Sequence, residues 1–276
     1  MKDLNYHFDF NNPDLIETFD ELPLWSAPFG IRLLDLVKYK SSINALDIGC
    51  GTGFPLLELA MRLGSTSKVY GIDPWEALFP RILKKMNFLG IENVVLEKGL
   101  AEKLPFEDEF FNLVVSNNGI NNVENEEEAL KQIYRTTAQD AQIILTMNLK
   151  ESMHEFYTTF EEILKLNNCV QEIQDMHDHI YHKRKPVSYH SELIHKAGFR
   201  DIRIQYDTFT LKFTDGTSML NHYFIRLAFL PSWLNILKKE DRESLFFQVS
   251  EKLNEISRKQ GSLSLSIPFC IIEFYK

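Results

Sequence analysis

The chain has 276 residues, 44% of them hydrophobic and 25% charged, with 21 Phe and 10 Tyr, so it carries enough apolar surface to offset the entropy of ordering, and intrinsic disorder is excluded as its main state. The 39 acidic against 30 basic side chains leave a formal charge of -9, a field that repels nucleic acid and anionic lipid and argues against both as partners. Cys50, Cys169 and Cys270 are too scattered for a disulfide framework or a CxxC pair, which favours a reducing, cytoplasmic setting.

The opening MKDLNYHFDF lacks the apolar run of a secretory leader, and no stretch approaches 18 uninterrupted apolar residues. Even YFIRLAFL carries Arg226, so neither a leader nor a transmembrane span is expected. LIETF and then LPLWSAPFGIRLLDLV read as one or two helices around a Pro-bracketed aromatic segment, an N-terminal cap over residues 1–40. Between residues 43 and 147 short apolar runs alternate with longer helix-like stretches, at the spacing of repeated βαβ units. The expected strands are Asn44 to Ile48, Lys68 to Ile72, Val94 to Glu97, Phe111 to Ser116 and Gln142 to Met147. Runs such as NLVVS and QIILTM are apolar at consecutive positions, as parallel strands covered on both faces must be. The expected helices are Phe54 to Leu63, Trp75 to Phe88 and Glu126 to Thr136, the last opening on acidic residues that suit a helix N-terminus.

Beyond residue 150, MHEFYTTFEEILKL is apolar at close to helical period, and SELIHKAGF leads as a helix into the strand-like RDIRIQY. SLSIPFCIIEF makes a final strand. Between those two strands, helical stretches near Met219 to Leu230 and Asp241 to Arg258 read as an insertion. Together these elements predict a doubly wound α/β fold.

The chemistry is concentrated in INALDIGCGTGFPLLELA, residues 43 to 60. A strand runs into Asp47, Gly49, Cys50, Gly51 and Gly53 before a helix begins, so the glycines stand where backbone must approach a ligand. The alternative is an ordinary tight turn capping a helix. A dinucleotide fingerprint needs glycine three positions after Gly51, but residue 54 is Phe, and Asp47 would repel a pyrophosphate. S-adenosylmethionine (SAM) carries an ammonium and a sulfonium and no phosphate, so Asp47 can stabilise it directly or through water. In VYGIDPW, Asp73 stands 24 residues beyond Gly49 at a strand end, where a carboxylate can take both ribose hydroxyls, and Pro74 ends the strand. In GLAEKLPF, Ala101 and Glu102 stand where adenine would lie, Glu102 having a solvated loop position as its alternative.

DIGCGTG, GIDPW and AEKLPFEDEFFNLVVSNN resemble the successive motifs of class I SAM-dependent methyltransferases, in particular the methyltransferase type 11 group that includes the ubiquinone/menaquinone-biosynthesis type. The resemblance covers about residues 43 to 147. It implies a Rossmann-like seven-stranded sheet with an antiparallel last strand, methyl transfer from SAM, and cofactor contacts at Asp47, Gly49, Gly51, Asp73, Ala101 and Glu102. It also implies that a residue within Asn117 to Asn121 faces the sulfonium; Asn117 is the first candidate. Where methyltransferases acting on DNA amines carry an N-P-P-Y-like run, this chain has SNNGINN, which argues against DNA as acceptor; the same run also reads as a turn tolerant of left-handed backbone.

The resulting division is an N-terminal cap over 1–40, a SAM-binding domain over 41–206 and 263–276, and an inserted substrate-capping segment over 207–262. The expected function is methyl transfer from SAM to a small-molecule acceptor, with a homodimer as one assembly the sequence allows. A SAM-binding protein without catalysis and an NAD-dependent oxidoreductase are the alternatives. A general base, where the acceptor needs one, is sought at His222, Tyr223 and His154, with His190 behind them. His177, His179 and His182 with Asp175 and Asp178 match no tight zinc spacing, so no metal is expected. The run His182 to Lys185 reads as a solvated basic face or a dock for an anionic substrate group. Trp25, Phe29 and the stripe Leu220, Tyr223, Phe224, Leu227 read as core or as an apolar lid.

Overall fold

A computed structural model describes residues 4, 8–19 and 25–276; the leading residues 22–24 of the expected second helix lie outside them. The chain divides into two compact units. One comprises Phe10–Asn148, Pro186–Asp207 and Phe269–Lys276 and holds the sheet; the other comprises Met1–Asp9, Leu149–Lys185 and Thr208–Pro268 and is mainly helical.

The sheet unit is laid out by its apolar runs. Strands β1 (Asn44–Ile48), β2 (Lys68–Asp73), β3 (Val94–Lys98), β4 (Phe111–Asn117) and β5 (Thr137–Asn148) join β6 (Arg200–Phe213) and β7 (Leu263–Tyr275) in the order β3-β2-β1-β4-β5-β7-β6. The first five pair in parallel, and β7 runs antiparallel to β5, from Gln142 opposite Tyr275 to Asn148 opposite Phe269. The strand order reverses between β1 and β4, which in an open parallel sheet leaves a crevice beyond their carboxyl ends. Helices α1 (Pro13–Phe19), α2 (Ser26–Leu36), α3 (Leu56–Leu63), α4 (Phe79–Leu89) and α5 (Glu126–Thr136) precede the departure from this unit. The acidic first turn of α5 is where expected, and Asn125 caps it by accepting from the Glu128 N–H at 3.0 Å. The helix expected from Trp75 is a short turn, Glu76–Leu78, followed by α4 with Pro80 in its first turn, where the missing N–H leaves no bond broken.

The helical unit contains α6 (His154–Leu166) and α7 (Val170–Lys183), and after α8 (Val187–Lys196) of the sheet unit it resumes with α9 (Gly216–Asn221), α10 (Tyr223–Ala228), α11 (Leu230–Leu234) and α12 (Arg242–Gln260). The single helical stretch expected near Met219 to Leu230 is thus two helices and the start of a third, because His222 is extended and Phe229 leaves helical geometry ahead of Pro231. Its core is aromatic: Phe156 stacks on Trp233 at 3.8 Å between ring centres, and the Trp233 indole N–H donates to the Tyr157 hydroxyl at 3.0 Å. Residues 149–185 group with 208–268, a long-range pairing of helices that local periodicity cannot report.

Candidate functional site

β1 carries Asp47 into the interior because both its neighbours, β2 and β4, are themselves covered; Ala45, Leu46 and Asp47 are all fully buried. The chain then turns through Gly49, Gly51 and Gly53 at φ +76°, +53° and +103°, left-handed values that residues with a Cβ rarely adopt. The N–H groups of Gly49 and Cys50 both donate to the Ile72 carbonyl, at 2.9 and 3.3 Å, which ties the turn to the end of β2. A Cβ on Gly49 would lie 2.9 Å from the Cα of Gly119, whereas one on Gly51 would meet nothing within 4 Å. Backbone cannot swing aside as a side chain can. Gly49→Ala is therefore expected to destabilise the protein by about 2–4 kcal/mol, and Gly51→Ala by only about 1; thermal unfolding of the pair measures it, and equal losses would remove the backbone contact as the cause.

Asp73 clasps this turn. Its Oδ2 accepts from the Gly51 N–H at 2.9 Å and its Oδ1 from the Trp75 N–H at 2.8 Å. Burial raises the Asp73 pKa, and the two N–H groups oppose that. Asp47 differs in kind: neither carboxylate oxygen makes a hydrogen bond among the described residues. Burial first and the charge of Asp73 second push its pKa to about 8, the Leu56 N–H opposing at a geometry short of a hydrogen bond. A buried carboxylate without a hydrogen bond ionises at a cost that a cation beside it would offset. Burial, then Asp47 and Asp73, push the Cys50 thiol up, so it offers no thiolate.

The opposite wall follows β4. The Ser116 hydroxyl donates to the Ile48 carbonyl at 2.8 Å and accepts from the Ile120 N–H at 3.2 Å. Asn117 accepts from the Thr146 hydroxyl at 2.9 Å and donates to the Ser26 carbonyl at 3.1 Å, which seats α2 on the site. Asn118 adopts φ +59° and its N–H donates to Thr146. Glu102, in the short turn Ala101–Lys103, accepts through Oε1 from the Glu124 and Asn125 N–H groups at 2.9 and 3.2 Å, bracing the loop ahead of α5.

Between these walls lies a cavity of about 530 Å³ whose lining includes Gly49, Asp73, Trp75, Ala101, Glu102 and Asn117, a volume suited to a small molecule or cofactor. Asp47, on β1, precedes the lining residues Ile48 and Gly49 and is not itself part of the lining. Glycine turn, clasping carboxylate and buried carboxylate gather at the β1/β4 switch of a sheet of the Rossmann-like class. The chain belongs to the methyltransferase domain family, whose model matches residues 39–197.

Relatives agree. The demethylmenaquinone methyltransferase of Lactobacillus johnsonii is 26% identical over 188 residues, 65% of this chain and 75% of its own. That of Staphylococcus aureus is 30% identical over 151 residues, 52% of this chain and 60% of its own; the match thus spans less than two thirds of that relative. Among solved structures, the YcgJ protein of Bacillus subtilis superposes with a TM-score of 0.58 at 15% identity, covering 91% of this chain and 98% of its own. A SAM-dependent methyltransferase from Aquifex aeolicus gives 0.54 at 21%, covering 72% and 92%. At these identities the solved structures speak for the fold.

Of the residues expected to hold the cofactor, Gly49, Asp73, Pro74, Ala101, Glu102 and Asn117 line the cavity, and Asp47, Cys50, Gly51 and Gly53 sit in the strand end and turn behind or beside it. Sequence reasoning did not single out Trp75, Gly119 or Thr146. Gly119 had a signal, a glycine after an Asn-rich strand end, but its close approach to Gly49 is visible only in three dimensions. His154, His222 and Tyr223 lie in the helical unit. The His154 ring is exposed, 3.5 Å from Glu155; Tyr223 packs edge-on to Phe8 at 5.3 Å; the His222 ring meets Phe213 at 5.4 Å. His190 is committed to Glu126 at 2.6 Å in the sheet unit. Among the described residues no group of three or more His, Cys, Asp or Glu is placed to hold a metal ion, and no helix is long and apolar enough to cross a membrane.

Proposed function

We propose that the protein transfers the SAM methyl group to a small-molecule acceptor in the cytoplasm, with Asp47 answering the ammonium, Asp73 the ribose hydroxyls, Ala101 and Glu102 the adenine, and Asn117 lying toward the sulfonium. The observation that carries this reading is the pair of carboxylates at adjacent strand ends, one unpaired and one with two N–H donors already in place. When bound, SAM supplies an electrophilic methyl for in-line displacement; the chain's own task is to orient the partners and exclude water. The aromatic richness of residues 1–40 and 207–262 favours an apolar or aromatic acceptor. The curated relatives named for demethylmenaquinone make a reduced quinone the first acceptor to test. Calorimetry with SAM and with NAD, followed by transfer of labelled methyl to an acceptor panel, tests it: binding of NAD and not SAM overturns the cofactor assignment, and SAM binding without turnover on any acceptor favours a non-catalytic SAM-binding protein.

His222 is the general base this reading prefers for an oxygen or carbon acid. Burial lowers its pKa, so the ring is neutral at pH 7. His222→Ala is expected to slow single-turnover transfer by roughly 10²–10⁴-fold at unchanged SAM affinity. If SAM affinity falls and single-turnover transfer does not, the base is elsewhere.

A further inference from the structure

The loop beside Glu102 is anchored by a pair of side chains that the methyl-transfer chemistry has not used. Asn122, Val123 and Glu124 line the cavity ahead of α5, and Glu102 accepts from the Glu124 and Asn125 N–H groups through a single oxygen, Oε1. One residue further on, Glu126 opens α5, and its Oε1 meets Nδ1 of His190, on α8, at 2.6 Å. Both side chains are enclosed, His190 at 8% exposure and Glu126 at 11%, and both belong to the sheet unit. A second pair, Glu127 with Lys196 at 2.9 Å, joins the same two helices, but its side chains are 36% and 64% exposed, and a solvated pair of that kind contributes little.

A carboxylate has no proton to give, so Nδ1 is the donor whether the ring is neutral or charged. A short bond to an ionised acceptor, shielded from water, is among the stronger contacts a side chain makes, and removing either partner strands the other. His190 does not line the cavity, so it acts on the site through what it holds. We propose that His190 is a positioning residue for the adenosine part of SAM: through Glu126 it fixes the start of α5 and the loop 122–125, and through the two N–H groups of that loop it fixes the carboxylate of Glu102. The inference rests on the reading of Ala101 and Glu102 as the adenine contact. Because both loop N–H groups converge on one Glu102 oxygen, a shift of the loop carries that carboxylate with it.

S-adenosylhomocysteine, titrated into the full chain by calorimetry, is the probe, since it carries the adenosine and cannot turn over. His190→Leu is expected to weaken its binding by about tenfold. Amide hydrogen exchange should quicken at Glu124 and Asn125 and stay unchanged from Gly49 to Gly53. His190→Asn, whose Nδ2 falls where Nδ1 stands, should restore most of both. Glu126→Ala should weaken binding about as much as His190→Leu, and the double variant no more than either, because the two side chains act as one. Affinity of His190→Leu within about twofold of the unaltered protein, or losses that add in the double variant, would overturn the proposal and leave the cofactor reading standing. Faster exchange spread evenly over the sheet unit would do the same, since that is general loosening. If His190→Leu does not fold, Glu126→Ala carries the test, and unchanged affinity there overturns the proposal. Absence of binding by the unaltered protein overturns the cofactor reading itself, and the role of His190 with it.

Discussion

Asp73→Ala is expected to weaken SAM binding by at least about a hundredfold while leaving a folded sheet. The side chain is both a ligand and a clasp. Its removal takes away the proposed partner of the ribose and strands the N–H groups of Gly51 and Trp75, which it now accepts at 2.9 and 2.8 Å. A buried donor left without an acceptor costs about 1–3 kcal/mol, so the turn that admits the ligand loses its set shape as well. Asp73→Asn separates the two roles only poorly. The local contact to the Trp75 N–H, two residues on, is the kind an asparagine keeps, and the amide nitrogen then faces the Gly51 N–H, donor against donor. Asn is therefore expected to fall close to Ala in affinity. A second readout is remote: the charge of Asp73 is the second cause of the raised Asp47 pKa, so Asp73→Ala should bring the Asp47 titration down, as followed by carboxyl carbon NMR. SAM affinity within threefold of the unaltered protein would show that neither role holds.

The same site shows what a sequence exposes and what it hides. Strand β1 and helix α5 fall at their expected bounds, Asn44–Ile48 and Glu126–Thr136, because each is marked by local chemistry: an apolar run ending in Asp-x-Gly, and an acidic turn after a capping Asn. The antiparallel pairing of β7 with β5, by contrast, is implied by family resemblance and not by any feature of SLSIPFCIIEF itself. Helix α7 was not anticipated, its polar residues MHDHIYHK masking the helical period while their histidines invite a metal. Asp47 and Asp73 were legible as a pair, but not their division of labour, since one carboxylate makes no hydrogen bond among the described residues and the other accepts two. That difference is made by the Gly51 and Trp75 N–H groups, which donate to Asp73 at 2.9 and 2.8 Å. Arg184 was visible only as part of a basic run; its burial among exposed neighbours is a tertiary fact.

Asp47→Asn should trade SAM affinity for stability. The folded-state pKa of about 8 lies well above the ordinary 3.8, so folding favours the protonated acid. The stability this group allows is fully present below about pH 4 and lost as pH rises through about 8, by on the order of 5 kcal/mol. Asparagine cannot ionise, so the variant should escape that loss and, free of ligand at pH 8, melt roughly 4–10 °C above the unaltered protein, the gap closing at pH 4. Binding runs the other way. A cationic ammonium near Asp47 favours the ionised form, so at pH 7 SAM should displace close to one proton, read as a dependence of calorimetric heat on the ionisation enthalpy of the buffer. Affinity should rise from pH 6 toward 8, where Asp47 ionises without the ligand's help, and fall above it as the ligand's α-amino group, with an ordinary pKa of about 7.7–8.0, loses its proton. Asp47→Asn should remove the acid limb, release no proton and weaken binding by about 10²-fold. Unchanged proton release in the variant would place the titrating group elsewhere, and an unchanged melting temperature at pH 8 would mean that Asp47 is ionised and solvated in the free protein.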